Sequence, residues 1–369
     1  MPNLRIVPTY LLAIAGCLTV TGQGLAAQQQ LASSGSPITQ STQAKPTPVP
    51  LARRNPGQQR TLQQIGMVDI PGSPGFDAVA VANGKVLLAH TAASSLDVVD
   101  PAKRRVVAQV INLQSPRGIA VDAKNGKIYV AQAGNNSVAV IDFQGWQYTG
   151  AIQLPQPPST LALDDSGQRL YWSGATSDSL SVLDLSTRTN LGTLDLGGRP
   201  RGMVWDQERG VAFVVLQDTS EIVAVDPKLQ VVSRFKLNAS QPTEVVYDGE
   251  GRRLYVAARS AVLAINDQDG TETSRVEAPM GVDGLWLNAE LHTLYAASPG
   301  ELTVIKTDTG GFTVADSIPS DIKGHTVAYD SENHIVYLPG GREGKSAMLL
   351  LRPMGADQAG QEDVAAKVK

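Results

Sequence analysis

The chain has 369 residues, of which 42% are hydrophobic, and it carries a formal net charge of −4 at neutral pH. This apolar content is sufficient for a large buried core, and the length is compatible with one large all-β unit. No long run of Lys and Arg occurs, which excludes the electrostatic footprint of nonspecific nucleic-acid binding. Cys17 is the only cysteine, so no disulfide can form within the chain.

Residues 1–27 have the features of an export signal. A weakly basic start precedes an apolar stretch from Val7 to Val20, which is too short for a good membrane span. Two processing routes stay open. Gly24 to Ala27 offers small residues to ordinary signal peptidase, and Ile14 to Cys17 resembles a bacterial lipobox in which Cys17 would be lipidated. We therefore predict a bacterial protein that is periplasmic, extracellular or anchored to the envelope, with membrane contact only through this lipid.

Two segments have a composition typical of disorder. Residues 28–60 are rich in Gln, Ser, Thr, Pro and Ala, and no apolar period of 2 or 3.6 residues occurs there. Such a segment cannot bury enough apolar surface to order itself, so we predict a flexible tether. Residues 354–369 have a similar composition and are predicted to form a disordered tail. The folded part is predicted to span residues 61–353.

One short apolar pattern, usually closed by Asp or Asn, recurs seven times along the folded part. The equivalent core positions are Val81, Val121, Leu163, Trp205, Tyr247, Leu287 and Tyr329. Their spacings are 40, 42, 42, 42, 40 and 42 residues. A period this regular is typical of a repeat architecture.

Each repeat carries four strand signals separated by short polar turns. In the second repeat they are residues 117–122, 128–131, 137–142 and 148–152. Four short antiparallel strands in about 42 residues form one blade of a β-propeller, so we predict an all-β, seven-bladed propeller. Ankyrin and tetratricopeptide solenoids would require helices, and leucine-rich repeats are shorter.

The seventh repeat lacks its fourth strand, because Pro353 and the low-complexity tail follow its third strand signal. Residues 62–70 precede the first repeat and have the pattern of a fourth strand without a blade. We predict that this N-terminal strand completes blade seven, which closes the ring and satisfies two open sheet edges.

Residues 128–131 (Ile-Tyr-Val-Ala), followed by residues 135–142, resemble the YVTN-type repeat of secreted bacterial proteins, an NHL- and WD40-like β-propeller repeat. The resemblance extends over residues 62–352, although no repeat has Thr-Asn after Tyr-Val. It implies a propeller fold and export. It implies no particular activity, because this fold carries both binding proteins and enzymes.

No strong catalytic motif occurs in the chain. A nucleophile elbow, a zinc-protease helix motif, a phosphate-binding loop and a dinucleotide fingerprint are all absent from the sequence. Asp-rich turns such as Asp164-Asp165 lack the spacing of a calcium-binding loop, and we interpret them as turn-building residues.

One position per repeat, four residues before the aligned core position, is polar in all seven repeats, whereas the residues that follow it are mainly small or apolar. The innermost strand of each blade starts beside the central channel, so these residues are expected to form a ring at the channel mouth. The ring residues are Asp77, Arg117, Ser159, Arg201, Thr243, Asp283 and His325. They are the predicted ligand-binding residues, and His90 in the blade-one loop could join them.

The charges around this ring are predicted to segregate. Asp283, His325 and Asp77 are consecutive after closure and form an acidic and histidine arc, which could hold Ca²⁺, Mn²⁺ or Zn²⁺. Arg117 and Arg201 lie on the opposite arc and could hold an anion through forked hydrogen bonds. The simpler interpretation is a charge-balanced mouth, in which Asp77 pairs with Arg117 and His325 only forms a hydrogen bond.

These observations favour a binding scaffold over an enzyme. We expect a monomer that binds a protein or a small anionic ligand at the channel mouth. The alternative is a lyase or hydrolase with a metal-assisted or histidine-assisted site there. No cofactor is predicted except a possible divalent metal, and no catalytic residue can be assigned.

Overall fold

The structure is a computed structural model, which describes residues 60–164, 166–308 and 312–354. The predicted export signal, Cys17, residues 28–59 of the tether and residues 355–369 of the tail lie outside these ranges. Within the described ranges no helix is long and apolar enough to cross a membrane. The helical content described is one short 3₁₀ turn, Thr91–Ala93.

The described chain forms 28 strands, numbered in chain order. The first fourteen are β1 Leu62–Ile70, β2 Phe76–Ala82, β3 Lys85–His90, β4 Ser95–Asp100, β5 Arg105–Ile111, β6 Pro116–Asp122, β7 Lys127–Gln132, β8 Ser137–Asp142, β9 Gln147–Gln153, β10 Pro158–Leu163, β11 Arg169–Gly174, β12 Ser179–Asp184, β13 Thr189–Asp195 and β14 Pro200–Asp206. The others are β15 Val211–Leu216, β16 Glu221–Val225, β17 Val231–Lys236, β18 Pro242–Asp248, β19 Arg253–Ala258, β20 Ala261–Asn266, β21 Glu272–Glu277, β22 Gly284–Asn288, β23 Thr293–Ser298, β24 Glu301–Lys306, β25 Thr313–Pro319, β26 Ala328–Asp330, β27 Ile335–Arg342 and β28 Lys345–Pro353.

These strands form seven four-stranded antiparallel sheets, which confirms the predicted seven-bladed propeller. Blades one to six each use four consecutive strands, from β2–β5 to β22–β25. Blade seven has the order β1-β28-β27-β26, so the N-terminal strand supplies its outermost strand as predicted. β1 and β28 pair from Leu62 opposite Pro353 to Ile70 opposite Ser346.

The core is divided among the seven interfaces between neighbouring blades, each with its own cluster of buried apolar side chains. The cluster between blades seven and one includes Val68 and Ile70 of β1, Phe76 of β2 and Tyr337 of β27. Successive strand residues point to opposite faces, and both faces of each blade meet a neighbour. The second and third strands of the blades are therefore buried along almost their whole length.

Asp side chains at strand ends fix the turns on the face opposite the ring. Asp206 accepts hydrogen bonds from the backbone N–H groups of Glu208 and Arg209, and Asp330 accepts them from Glu332 and Asn333. Asp164 likewise accepts from the backbone of Gln168 and Arg169. These contacts are those of turn-building residues.

The innermost strand of blade seven is shorter than the sequence pattern predicts. The pattern places a strand over residues 325–330, whereas only Ala328–Asp330 pairs with β27. Pro339 of β27 has no N–H to donate. A Cβ on Gly324 would lie 2.0 Å from the Pro339 carbonyl oxygen, so the two backbones are already in close contact there. His325 consequently lies in a loop that is held by the Lys323–Gly341 bridge.

Candidate functional site

The ring residue of every blade is outside the regular strand pairing. In blades one to five the register of the innermost strand shifts across the ring position, for example between Phe76 and Ala78 and between Pro242 and Glu244. In blades six and seven the paired strand begins after Asp283 and after His325. A β-bulge of this kind changes the direction in which a side chain points relative to the sheet. The ring side chains are thereby released from the blade packing.

Residues at the inner edge of all seven blades line one cavity of about 350 Å³ in the central channel. Six of the eight predicted residues line it: Asp77, Ser159, Arg201, Thr243, Asp283 and His325. Arg117 contacts this group through Asp77, and its neighbour Gly118 lines the cavity. The structure therefore brings the seven ring residues together around one opening.

The charges around the ring are interleaved, so the predicted segregation into opposite arcs is wrong. Arg117 Nη1 lies 3.7 Å from Asp77 Oδ1, and Arg201 Nη2 lies 3.8 Å from Asp283 Oδ1. A long arginine side chain can reach past the small Thr243 of the blade between, and opposite charges attract. The simpler interpretation, a charge-balanced mouth in which Asp77 pairs with Arg117, describes the geometry better.

Both guanidinium groups keep hydrogen-bonding capacity. Separations of 3.7 and 3.8 Å are ion-pair contacts but exceed the length of a hydrogen bond. The Nε atom of Arg117 is buried and has no partner within the described part of the chain. The two arginines are therefore positioned by charge while donors remain for a ligand.

His325 and Asp283 form the closest charged contact of the ring. His325 Nδ1 lies 3.2 Å from Asp283 Oδ2, and this hydrogen bond, with the nearby carboxylate charges, raises the pKa of His325 above its usual value. Burial acts to raise the pKa of Asp283, but His325 and Arg201 outweigh it, so the pKa of Asp283 is lowered. Burial raises the pKa of Asp77 despite the opposing effect of Arg117. His325 is thus favoured as a cation.

Substituting Asp283→Asn should lower the pKa of His325, because it removes the carboxylate that stabilises the imidazolium. Asp77→Asn removes a ring carboxylate without a direct bond to His325 and should have a smaller effect. NMR titration of the imidazole signals, assigned with His325→Gln, measures both shifts. Equal pKa shifts in the two variants would show that the hydrogen bond between His325 and Asp283 adds nothing to the effect of a nearby carboxylate charge.

His90 is not part of the ring. Its side chain is fully buried, with Nδ1 2.6 Å from Asp97 Oδ2 and Nε2 2.7 Å from the Ser73 carbonyl oxygen. Asp97 also accepts hydrogen bonds from Ser95 and Gln109. The expectation that His90 joins the channel mouth is therefore wrong, because these buried partners turn its imidazole into the blade.

A second tier of residues lies directly below the ring. In blades two to seven it alternates between glycine and a larger residue: Gly118, Thr160, Gly202, Glu244, Gly284 and Thr326. A Cβ on Gly118 would lie 2.6 Å from the Ser159 carbonyl oxygen, and one on Gly284 would lie 2.5 Å from that of His325. Glycine at these positions therefore lets the next blade approach closely.

Glu244 is the channel residue that the sequence prediction missed. It lines the cavity, and burial, with a contribution from the charge of Asp283, raises its pKa to about 8. It is the only acidic residue at the tier position, where the other blades have Gly, Ala or Thr. This contrast is visible in the sequence, but only when the position after the ring is also compared between repeats.

The ring gives little support for a metal. No group of three or more His, Cys, Asp or Glu side chains is arranged to hold a metal ion in the described ranges. Asp77 faces Arg117, and Asp283 faces both His325 and Arg201, so each carboxylate already has a cationic neighbour. A metal at Asp77, Asp283 and His325 stays a prediction.

A family model for the NHL repeat matches residues 113–141, which cover most of β6 to β8 in blade two. Together with the seven-bladed fold, this match supports a propeller repeat protein. A comparison with curated proteins found no similar sequence.

Solved structures with the same fold come from different kinds of protein. One is from the hydrazine synthase of Kuenenia stuttgartiensis (TM-score 0.67, 15% identity, covering 78% of this chain and 97% of that one). Another is the Cps50 (Swd1) β-propeller domain of Myceliophteria thermophila (0.66, 10%, 79% and 99%). A third is from a mitotic checkpoint complex (0.68, 13%, 86% and 99%). At these identities the similarity shows the fold alone.

Proposed function

We propose that this chain is an exported binding scaffold whose channel mouth binds a small anionic ligand. The observation that carries the proposal is a cavity of about 350 Å³ lined by Arg201 and His325, with Arg117 beside it in contact with Asp77. The arginines contact carboxylates only at ion-pair distance and retain donors for an anion. The propeller fold is consistent with a scaffold, since its rigid ring holds these residues at fixed spacing.

Export is supported by the signal-like residues 1–27 and by the resemblance to secreted YVTN-type repeats. In the proposed function the protein acts as a monomer, because ring closure leaves no blade with a missing strand. Mass spectrometry of the mature N-terminus separates the two processing routes. A lipidated Cys17 would indicate an envelope anchor, and a free N-terminus near residue 28 would indicate ordinary cleavage.

A lyase or hydrolase at the same mouth is the second candidate, because the Asp283 bond orients the imidazole of His325 as in general-base sites. The raised pKa of His325 is compatible with a general base near neutral pH, and the same environment favours the imidazolium. The same feature favours anion binding.

Titration calorimetry with inorganic sulfate, whose charge does not change near neutral pH, tests the proposal. Arg117→Ala combined with Arg201→Ala should weaken sulfate binding at least about tenfold, because charge-assisted hydrogen bonds contribute about 1.5–3 kcal/mol each. The control is Arg105→Ala with Arg188→Ala, which removes the same charge from exposed positions. Binding of sulfate to the channel double variant with unchanged affinity would overturn the proposal.

A further inference from the structure

Glu244 occupies an unusual place in the channel, one residue below the ring. Its Oε1 accepts a hydrogen bond from the Val245 backbone N–H at 2.9 Å. A Cβ on Gly202 would lie only 2.3 Å from this oxygen, so the carboxyl group lies over the glycine of the preceding blade. No described residue hydrogen-bonds Oε2, and the side chain lines the cavity. One carboxyl oxygen is therefore left for a ligand.

The carboxyl group of Glu244 is protonated over most of the neutral range. Burial raises its pKa to about 8, the negative charge of Asp283 acts in the same direction, and Arg201 opposes both. A protonated carboxyl group can donate one hydrogen bond and accept others. At neutral pH it is therefore a neutral partner for a hydroxyl group.

Thr326 provides a second, independent observation at the same depth. Its side chain is 9% exposed, it lines the same cavity, and its Oγ1 is buried without a hydrogen-bond partner in the described ranges. The Thr160 hydroxyl of this tier, by contrast, donates to the Arg201 carbonyl oxygen. Buried polar groups are nearly always hydrogen-bonded, so the unpaired hydroxyl of this cavity-lining residue indicates a missing polar partner.

We propose that Glu244 and Thr326 hydrogen-bond the hydroxyl groups of a ligand whose anionic group is held above them by Arg201 and His325, which makes the ligand class a small hydroxy acid. This inference rests on the proposed function, because it uses the same channel site. It adds uncharged hydrogen-bonding groups below the ring, which would distinguish an anion that has hydroxyl groups from an anion without them.

The charges of the channel favour a hydroxyl group over a second carboxylate at the lower tier. The charge of Asp283 already acts on Glu244, and a further negative charge at this depth would be repelled. A hydroxyl group carries no charge and can both donate and accept. A cavity in a central channel lined by all seven blades also suits a small molecule better than a protein segment.

Calorimetry on the full chain with D-gluconate and with hexanoate tests the inference, because hexanoate has the same carbon number without hydroxyl groups. The wild type should bind gluconate at least about tenfold more tightly than hexanoate. Glu244→Ala and Thr326→Val should each reduce this preference about fivefold, whereas Glu244→Gln, which keeps donor and acceptor, should largely retain it. Glu250→Ala, on an exposed acidic residue of a turn, should change nothing.

Equal affinity of the wild type for the two acids would overturn the inference, and so would an unchanged preference in Glu244→Ala and Thr326→Val. If Glu244→Ala does not fold, as judged by its melting curve, Thr326→Val and Glu244→Gln give the answer. Sulfate separates the two proposals. Sulfate binding that depends on Arg117 and Arg201 without a gluconate preference refutes the hydroxy-acid inference alone, and loss of that dependence refutes the anion site itself.

Discussion

Deleting residues 61–71 should abolish the cooperative folding of the propeller. β1 buries Leu62, Val68 and Ile70 and pairs along its whole length with β28. At about 2 kcal/mol each, these three buried aliphatic side chains contribute about 6 kcal/mol to the free energy of unfolding. The unfolding free energy of a whole domain is about 5–15 kcal/mol. The deletion would also expose the hydrogen-bonding edge of β28, a template for aggregation. Calorimetry and light scattering measure both effects.

A pair of substitutions in β1 makes this test quantitative. Val68→Asp places a charge at a position that is 1% exposed and should cost about 4 kcal/mol of unfolding free energy. Gln63→Asp introduces the same side chain at an exposed position of the same strand and should change the unfolding free energy by less than about 0.5 kcal/mol. Equal stability of the two variants would show that β1 does not close the ring.

The second large effect is expected for His90→Ala. Both imidazole nitrogens of His90 face acceptors, Asp97 and the Ser73 carbonyl oxygen, an arrangement that favours the doubly protonated, cationic ring. Removing it leaves the buried carboxylate of Asp97 without its counter-charge, which costs about 3–5 kcal/mol. His292→Ala, at an exposed histidine, is the control. Urea denaturation of both variants measures the difference.

The contribution of His90 to the free energy of unfolding should decrease as the pH rises. Burial alone would lower the pKa of His90, but its hydrogen bonds to Asp97 and Ser73 raise it above 6.5. A raised pKa in the folded state means that the stabilisation is complete below about 6.5 and is lost as the pH rises through the folded value. The stability gap between wild type and His90→Ala should therefore narrow from pH 6 to pH 9. A constant gap would show that His90 is neutral.

The repeat pattern was sufficient to predict the blades and their closure. The seven core positions and the orphan strand at residues 62–70 are local signals, since an apolar strand pattern needs no knowledge of its neighbours. Pairing within blade seven was less predictable, because the contact of Gly324 with Pro339 shortens β26.

The sequence was sufficient to predict which residues form the ring, but not which side chains they contact. The ring residues share one repeat position, so their common location followed from the fold. Which partners they contact depends on side-chain length and rotamer, and the reach of Arg201 to Asp283 carries no sequence signal. His90 was misplaced because its loop lies on the predicted face while Asp97, seven residues later, turns the imidazole inward.

If the channel mouth is the anion site, a crystal structure with selenate should show the anion bound there. Selenate resembles sulfate, and the anomalous signal of selenium locates it without ambiguity. We expect a leading selenium peak in the channel cavity, with selenate oxygens within hydrogen-bond distance of the Arg201 guanidinium and the His325 imidazole. Selenium peaks confined to arginines on the outer surface, with none in the channel, would contradict it.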